Sequence, residues 1–415
     1  MKTKTVIEYI LAGVVVLILG GLSGWYFFLR GQSQTSRAGA AARGYGATAP
    51  MGNAGNTVFG SGARDTQGSP TQTARPPQLW HVQSKPVAGL AFIGTGKDVR
   101  LRYVERATGY VFEADPETGN TLRLSNTLLP KIYEAQLTES GRVIERSLDE
   151  VGNITTFIAT ISTSTPVSDT ATSTRSLPGL YLAKNITQIV TNPKSDELFY
   201  LVHEGTGVTG VRSQWNGSKQ KTIFTSSITH WRLLWLEDGR IILAQAASGG
   251  VPGYAYELKA DGTLDPLLRA TSGLTILPRS APAGQNASGA LLWGESAGSA
   301  MALYAQATPN TQAVLLPIKT VADKCVWQSG KELIAYCGVP QTPTIRNFLD
   351  DWYRGAIHSS DAFWRVEALA GSAELVYSPA GTSVDVTDPI VDSGGDYVAF
   401  INATDRSLWL LRLNK

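Results

Sequence analysis

Seven segments of the chain share one pattern of hydrophobic and polar positions: an apolar run, a short polar turn and a strongly apolar strand. The copies read FIGTGKDVRLRYV from Phe92, QLTESGRVIERSL from Gln136, VTNPKSDELFYLV from Val190, WLEDGRIILAQA from Trp235, QNASGALLWGES from Gln285, VWQSGKELIAYC from Val326 and VDSGGDYVAFIN from Val391. Apolar alternation bounded by Gly, Asp and Asn is typical of β-hairpins. The pattern therefore predicts a hairpin that recurs seven times.

The spacing of these hairpins predicts the architecture. Between successive turn residues the steps are 45, 55, 43, 50, 41 and 64 residues, taking Gly96, Gly141, Asp196, Gly239, Gly289, Gly330 and Gly394 as markers. Two further strand-like runs, YVFEA and TLRLS, follow the first copy after polar turns. Units of about 40–50 residues with four strands each are propeller blades. We therefore expect an all-β fold, a seven-bladed β-propeller over residues 79–415.

The two ends of this region predict how the ring closes. The last copy supplies three strands and then the chain stops, whereas the segment QLWHVQS (78–84) precedes the first hairpin. Pairing that segment beside the C-terminal strand removes the edges that an open sheet would expose. The turn followed by GRIILAQ or GKELIAY resembles blades of TolB-like and other WD-repeat-like propellers. The chain is also similar to uncharacterised membrane-anchored bacterial propeller proteins, which implies an architecture and no activity.

An apolar stretch near the N-terminus predicts a membrane anchor. After a tail of five residues, positions 6–29 carry one charge, Glu8, and end in the aromatic run WYFF. About 20 apolar residues span a bilayer as a helix, and aromatic residues favour its interface. A cleavable signal peptide is the alternative, but its apolar region is shorter. We expect a single-pass protein of the cell membrane with its C-terminal domain outside the cytoplasm.

The segment 30–78 predicts a flexible, disordered linker, because it is rich in Gly, Ala, Ser and Pro and poor in large apolar residues. It carries five arginines against Asp65, a net of +4, and the first 29 residues add +1. Since the whole chain is +2, residues 79–415 carry −3. A slightly acidic folded domain argues against nucleic acid as its partner.

Two insertions interrupt the blades, and the second contains the candidate binding residues. Positions 162–178 are rich in Ser and Thr and predict a surface loop, whereas 338–361 includes aromatic residues and a short helix-like run, TIRNFLDDWYRG. The candidates combine acidic, aromatic and cationic groups: Asp350, Asp351, Trp352, Tyr353, Arg354 and His358. Such groups are frequent at interface hot spots. The alternative is that Trp352 and Tyr353 plug one end of the channel.

Other motifs do not predict catalysis. GESAG around Ser296 fits G-x-S-x-G, but a nucleophile elbow needs a strand, a turn and a helix. This segment instead aligns with the last copy, Ser296 on Thr404, which predicts that Ser296 lies in a tight turn between two strands. The histidines are scattered, and the acidic run Asp385, Asp388, Asp392 and Asp396 matches no calcium loop, which favours turn and capping roles. We predict no catalytic residue, no cofactor and no metal site.

The two cysteines, Cys325 and Cys337, lie on either side of one predicted hairpin, six residues from Lys331. That symmetry allows a cross-strand disulfide, and a one-residue shift of register would leave two buried thiols instead. For function we expect a protein- or glycan-binding or scaffold module of the cell envelope. The alternative is a propeller enzyme of the lyase, lactonase or glycosidase type, because sites at a channel mouth converge from several blades and leave no linear motif.

Overall fold

Seven four-stranded antiparallel sheets make up the part of the chain that this computed structural model describes, residues 75–161, 177–192, 196–281, 289–297, 300–308 and 311–414. The first strand within these residues, β1 (Leu79–Gln83), belongs to the last sheet. The predicted helix 6–29, most of the linker and most of the insertion 162–178 lie outside these residues. Within them, no helix combines the length and the apolar character needed to cross a membrane.

The blades follow one another along the chain. Blade one contains β2 (Val87–Ile93), β3 (Arg100–Glu105), β4 (Val111–Ala114) and β5 (Thr121–Arg123). Blade two contains β6 (Glu134–Leu137), β7 (Arg142–Leu148), β8 (Ile154–Thr160) and β9 (Gly179–Tyr181). Blade three contains β10 (Ile186–Thr191), β11 (Glu197–Glu204), β12 (Gly207–Gln214) and β13 (Lys221–Ser226). Blade four contains β14 (Trp231–Trp235), β15 (Ile241–Gln245), β16 (Pro252–Leu258) and β17 (Leu264–Ser272).

The remaining three blades include the short helices. Blade five contains β18 (Thr275–Pro278), β19 (Leu291–Ala297), β20 (Ala300–Gln306) and β21 (Val314–Leu315). Blade six contains β22 (Cys325–Trp327), β23 (Ile334–Pro340), β24 (Asp361–Glu367) and β25 (Ser372–Tyr377). Blade seven contains β26 (Val386–Val391), β27 (Tyr397–Asn402), β28 (Leu408–Arg412) and β1. Helix α1 (Phe348–Tyr353) lies between β23 and β24, and 3-10 turns cover Gly96–Asp98 and Ala322–Lys324.

The ring closes as the sequence predicts. Strand β1 pairs with β28, with Leu79 opposite Leu411 and Trp80 opposite Leu410. The rings of His81 and Trp409 stack with their centres 4.2 Å apart. Because the last blade takes its fourth strand from the segment that precedes blade one, β28 is not left as an exposed edge.

The core lies between neighbouring blades. Side chains of adjacent sheets form apolar clusters, such as Val87, Leu101 and Tyr103 of blade one against Tyr397 and Leu408 of blade seven. Burying one such side chain stabilises the fold by about 1.5–3 kcal/mol. The first strands of neighbouring blades contact one another, including β26 and β2, so these strands surround the central channel.

Two local predictions need correction. Ser296 is not in a turn: it lies in β19, pairs with Met301 of β20 and is 2% exposed. Strand β19 ends at Ala297, three residues beyond Gly294, which aligns with the end of β27 at Asn402, so the turn follows Ala297. The second insertion is shorter than its predicted range 338–361, because β23 extends to Pro340 and β24 begins at Asp361. It therefore joins the second and third strands of blade six.

Candidate ligand site at the channel mouth

A cavity of about 780 Å³ opens at the end of the channel where helix α1 lies. Its wall comes from blades four to seven and from the insertion of blade six. The lining side chains that carry charge or can titrate are Arg232, Asp323, Tyr353, Arg354, His358, Asp388 and Arg406. Its volume falls within the range of small-molecule pockets, about 300–1,000 Å³.

Helix α1 is attached to the ring through both its apolar and its polar side chains. Phe348, Leu349 and Trp352 are buried in a cluster with Met301 and Val321. On its polar side, both carboxylate oxygens of Asp350 accept from the backbone N–H of Gly249 in blade four, at 3.1 and 3.3 Å. The helix is too short to be stable alone, so these contacts hold it over the channel.

One close approach beside the helix requires glycine. Gly273 has a φ of 61°, and a Cβ atom there would lie 2.5 Å from the carbonyl oxygen of Ser296 and 3.0 Å from Leu349. Ser296 therefore belongs to the packing beneath α1. Because its segment joins two antiparallel strands and its side chain is buried, it has neither the context nor the access of a nucleophile.

A buried cluster of charges lies behind the cavity wall. The side chains of Lys324, Asp361 and Asp385 are fully buried. The Nζ atom of Lys324 donates to Asp361 at 2.7 Å, to Ser359 at 3.0 Å and to Asp385. Buried charges require such partners, since an isolated ion in the interior costs several kcal/mol.

The two carboxyl groups of the cluster differ in their pKa. Burial opposes ionisation of Asp385, but the charge of Lys324 and hydrogen bonds from Lys324, Trp352 and Ser359 outweigh it and lower the pKa below its usual value. Burial raises the pKa of Asp361, and the charge of Lys324 offsets this only in part. Asp385 is therefore the ionised acceptor of the cluster.

Asp385 in turn orients His358. The Nδ1 atom of His358 lies 3.0 Å from Oδ2 of Asp385, and the imidazole is 35% exposed in the cavity wall. Because an ionised carboxylate can only accept, Nδ1 carries the proton. In the neutral ring Nε2 then has a free lone pair, which is the arrangement of an acceptor or a general base.

A second polar group links three elements at the cavity wall. Arg232 of β14 donates to Asp323 at 2.6 Å and to the hydroxyl oxygen of Tyr353 at 3.3 Å, and that hydroxyl donates to Asp323. Confinement of its hydroxyl group within the channel raises the pKa of Tyr353 well above its usual value, although the residue is 41% exposed, and the negative charge of Asp323 adds to the effect. Tyr353 thus stays protonated and fastens α1 to blades four and six.

Asp388 and Arg406 form a loose pair in blade seven. Their closest charged atoms are 3.7 Å apart, beyond hydrogen-bond distance. Both residues have left-handed backbones, with φ of 50° and 62°, which non-glycine residues rarely adopt. Confinement within the channel raises the pKa of Asp388, although its side chain reaches the water of the cavity.

The structure separates the sequence candidates into two groups. Trp352, Tyr353, Arg354 and His358 line the cavity. Asp350 binds the backbone of Gly249, and Asp351 pairs with Arg354. Trp352 is 7% exposed and Tyr353 41%. A channel plug therefore describes Trp352 well, whereas Tyr353 remains accessible.

Sequence reasoning missed the residues that other blades contribute, which are Arg232, Asp323, Lys324, Asp385, Asp388 and Arg406. Of these, Asp385 and Asp388 appeared only in an acidic run. Another member of that run, Asp392, has the expected turn role, since it accepts from the N–H groups of Asp396 and Tyr397, each at 2.7 Å. Among the described residues, no three His, Cys, Asp or Glu side chains are grouped so that they could hold a metal ion.

Cys325 also lines the cavity and forms a disulfide with Cys337. The two residues are directly paired between β22 and β23, without a shift of register. Their Cα atoms are 4.0 Å apart.

Comparison with known proteins bears on the fold. No model of a protein family matches the sequence, and no curated protein matches it. Among solved structures, oligogalacturonate lyase from Vibrio parahaemolyticus has a TM-score of 0.52 at 10% identity, covering 80% of this chain and 91% of its own. YCF48 from Cyanidioschyzon merolae has a TM-score of 0.52 at 9% identity, covering 81% and 99%.

The β-propeller domain of the Trilobed protease from Pyrococcus furiosus has a TM-score of 0.48 at 11% identity, covering 80% of this chain and 99% of its own. The seven-bladed propeller fold that the resemblance implied is confirmed by the seven four-stranded sheets. Identities this low support a common fold and leave the activity open.

Proposed function

We propose that the chain is a binding module of the cell envelope that holds a polar part of a protein or glycan partner in its channel-mouth cavity. The observation that carries this proposal is the cavity itself, which lies on a rigid ring and combines three arginines, two aspartates and an accessible tyrosine. Loops and side chains that converge on one face of a rigid scaffold are the usual place of binding sites.

A test should fill the cavity without disturbing the core. Ala246 is exposed and belongs to the cavity wall, whereas Ala107 is exposed in the corresponding loop of blade one. The full chain, isolated in detergent, is used to capture partners from a native envelope extract. We expect Ala246→Trp to lose the partner and Ala107→Trp to retain it. Equal recovery by the two variants would remove the cavity as the binding site.

The location outside the cytoplasm is also part of this proposal. It is supported by the apolar stretch 6–29 and by the disulfide, since disulfides persist in oxidising compartments. We expect protease added to cells with a permeabilised outer layer and an intact inner membrane to digest the propeller. Protection until the inner membrane is lysed would place the domain in the cytoplasm.

One observation favours a second function, an envelope enzyme. His358 lies in the cavity wall with Nδ1 held by a buried, ionised carboxylate, as a general base requires. The chain would then belong to the lyase, lactonase or glycosidase type. If so, His358→Gln should abolish turnover of a chromogenic lactone or of an acidic polysaccharide while binding persists. Turnover unchanged in this variant would exclude His358 as the base.

A further inference from the structure

Arg406 differs from the other cations of the cavity wall because its guanidinium makes no hydrogen bond within the described residues. Arg232 donates to Asp323 at 2.6 Å, and Arg354 pairs with Asp351. Arg406 has only the contact of 3.7 Å to Asp388, and its buried Nε atom has no hydrogen-bond partner among the described residues. Leaving this buried donor without an acceptor costs about 1–3 kcal/mol. The side chain is 30% exposed, so the terminal Nη groups, rather than Nε, are the donors that a ligand in the cavity can reach.

Two hydrogen bonds hold the backbone of Arg406 in place. The N–H of Arg406 donates to the carbonyl of Asn402 at 2.8 Å, and its carbonyl accepts from Val87 of blade one, also at 2.8 Å. Arg406 is thus fixed where blades seven and one meet. Strained left-handed residues that are held in this way concentrate at ligand sites.

The neighbouring groups restrict the chemistry of that ligand. A guanidinium with free donors matches a planar carboxylate, which it can bind through two parallel hydrogen bonds. Asp388 and the free Nε2 of His358 can accept from hydroxyl groups. Asp388 also disfavours a phosphate. A phosphate dianion carries one more negative charge than a carboxylate, and this charge would lie close to the carboxylate of Asp388. The half-exposed ring of Tyr353 offers an apolar face in the same wall.

We infer that the channel-mouth cavity binds a hydroxylated carboxylate, an acidic monosaccharide unit, with Arg406 on the carboxylate and Asp388 on a hydroxyl group. This inference rests on the proposed function and names the ligand class of the same cavity. Neutral sugars lack the group that engages Arg406, and simple carboxylic acids lack the hydroxyls that engage Asp388.

Three probes separate these contributions in calorimetric titrations of the full chain in detergent. They are glucuronate, glucose, which lacks the carboxylate, and acetate, which lacks the hydroxyls. We expect glucuronate to bind at least about tenfold more tightly than either, a difference of 1.4 kcal/mol. Arg406→Gln should bring glucuronate to the level of glucose, and Asp388→Asn should weaken both sugars while the preference for glucuronate remains.

Matched controls keep the result interpretable. Arg365→Gln removes an arginine from β24, outside the cavity lining, and should leave every titration unchanged. Unfolding midpoints of all variants identify any that fail to fold. Equal binding of glucuronate and glucose, or binding of neither, overturns the ligand class. In that case the proposed function still stands if Ala246→Trp loses the envelope partner, and it fails as well if that variant retains it.

Discussion

The indole of Trp352 donates to both oxygen atoms of Asp385, at 2.9 and 3.0 Å, and so fastens helix α1 to a fully buried carboxylate. The same carboxylate accepts hydrogen bonds from Lys324, Ser359 and His358. The helix that covers the channel and the histidine in the cavity wall therefore share one acceptor. A change at Trp352 should affect the stability of the plug and the position of His358 together.

We predict that Trp352→Phe lowers the free energy of unfolding by about 1.5–3 kcal/mol, because it removes a hydrogen bond to a charged group. Trp235→Phe is the matched control: Trp235 is 8% exposed, against 7% for Trp352, and donates to the neutral carbonyl of Gly239 at 3.2 Å. Its loss should be about 0.5–1.5 kcal/mol. Urea denaturation measures both. Equal losses would show that the charge of the Asp385 carboxylate does not strengthen the hydrogen bond from Trp352.

The ring was predictable from the sequence because each blade repeats one local pattern. Glycine turns such as those at Gly239 and Gly330 mark the first hairpins, and a missing fourth strand indicates the closure by β1. The outer strands and the residue limits of each hairpin depend on tertiary pairing. For that reason the prediction that Ser296 lies in the turn was wrong, and Ser296 lies in the strand before it.

Only the part of the candidate site that comes from one short segment was predictable from the sequence. Tyr353 and His358 lie in one short insertion whose composition is unusual. Arg232, Asp388 and Arg406 reach the same cavity from separate blades, and the closure of the ring brings them together. No spacing of residues along the sequence indicates that these side chains meet in one cavity. The burial of Lys324 also has no local signal, because an isolated lysine after an aspartate resembles any surface pair.

Lys324→Met should be strongly destabilising, because it leaves Asp361 and Asp385 buried without their cation. Breaking a buried ion pair by removing one partner costs about 3–5 kcal/mol. Arg365→Met is the control, since Arg365 pairs with Glu367 at 2.6 Å while both remain partly exposed, and such pairs contribute about 0–1 kcal/mol. Chemical denaturation of both variants tests the difference. A loss below 1 kcal/mol for Lys324→Met would mean that the two carboxyl groups are protonated in its absence.

The disulfide makes a prediction for the native protein. Chain purified from its native source should resist alkylation under denaturing conditions without reductant, and should gain two labels after reduction, one each at Cys325 and Cys337. Intact mass measures the labels directly. Reaction of both thiols before reduction would contradict the bond and weaken the argument for an oxidising compartment. The control is the same sample, reduced and then labelled.

Glu145 of β7 predicts an unusual dependence of stability on pH. It is 1% exposed, and neither carboxyl oxygen has a hydrogen-bond partner among the described residues. Burial raises its pKa to about 8. Below the unfolded pKa near 4.5, both states hold the proton. Between that pH and 8 the unfolded chain releases it first, so the free energy of unfolding falls as pH rises.

Glu145→Gln removes this titration, so the variant should gain stability relative to the wild type as pH rises, by roughly 3 kcal/mol at pH 7. Glu105 is the matched contrast, because Lys85 lies 2.8 Å away and Thr108 donates to it at 2.7 Å. Burial opposes its ionisation, yet these partners lower its pKa. Glu105→Gln should therefore lose stability at neutral pH, and the loss should shrink as pH falls through the lowered pKa. Denaturation curves from about pH 2 to pH 9 compare the three proteins, so that the series covers both the raised pKa of Glu145 and the lowered pKa of Glu105. Parallel curves for Glu145→Gln and the wild type would show that Glu145 finds a partner in solution.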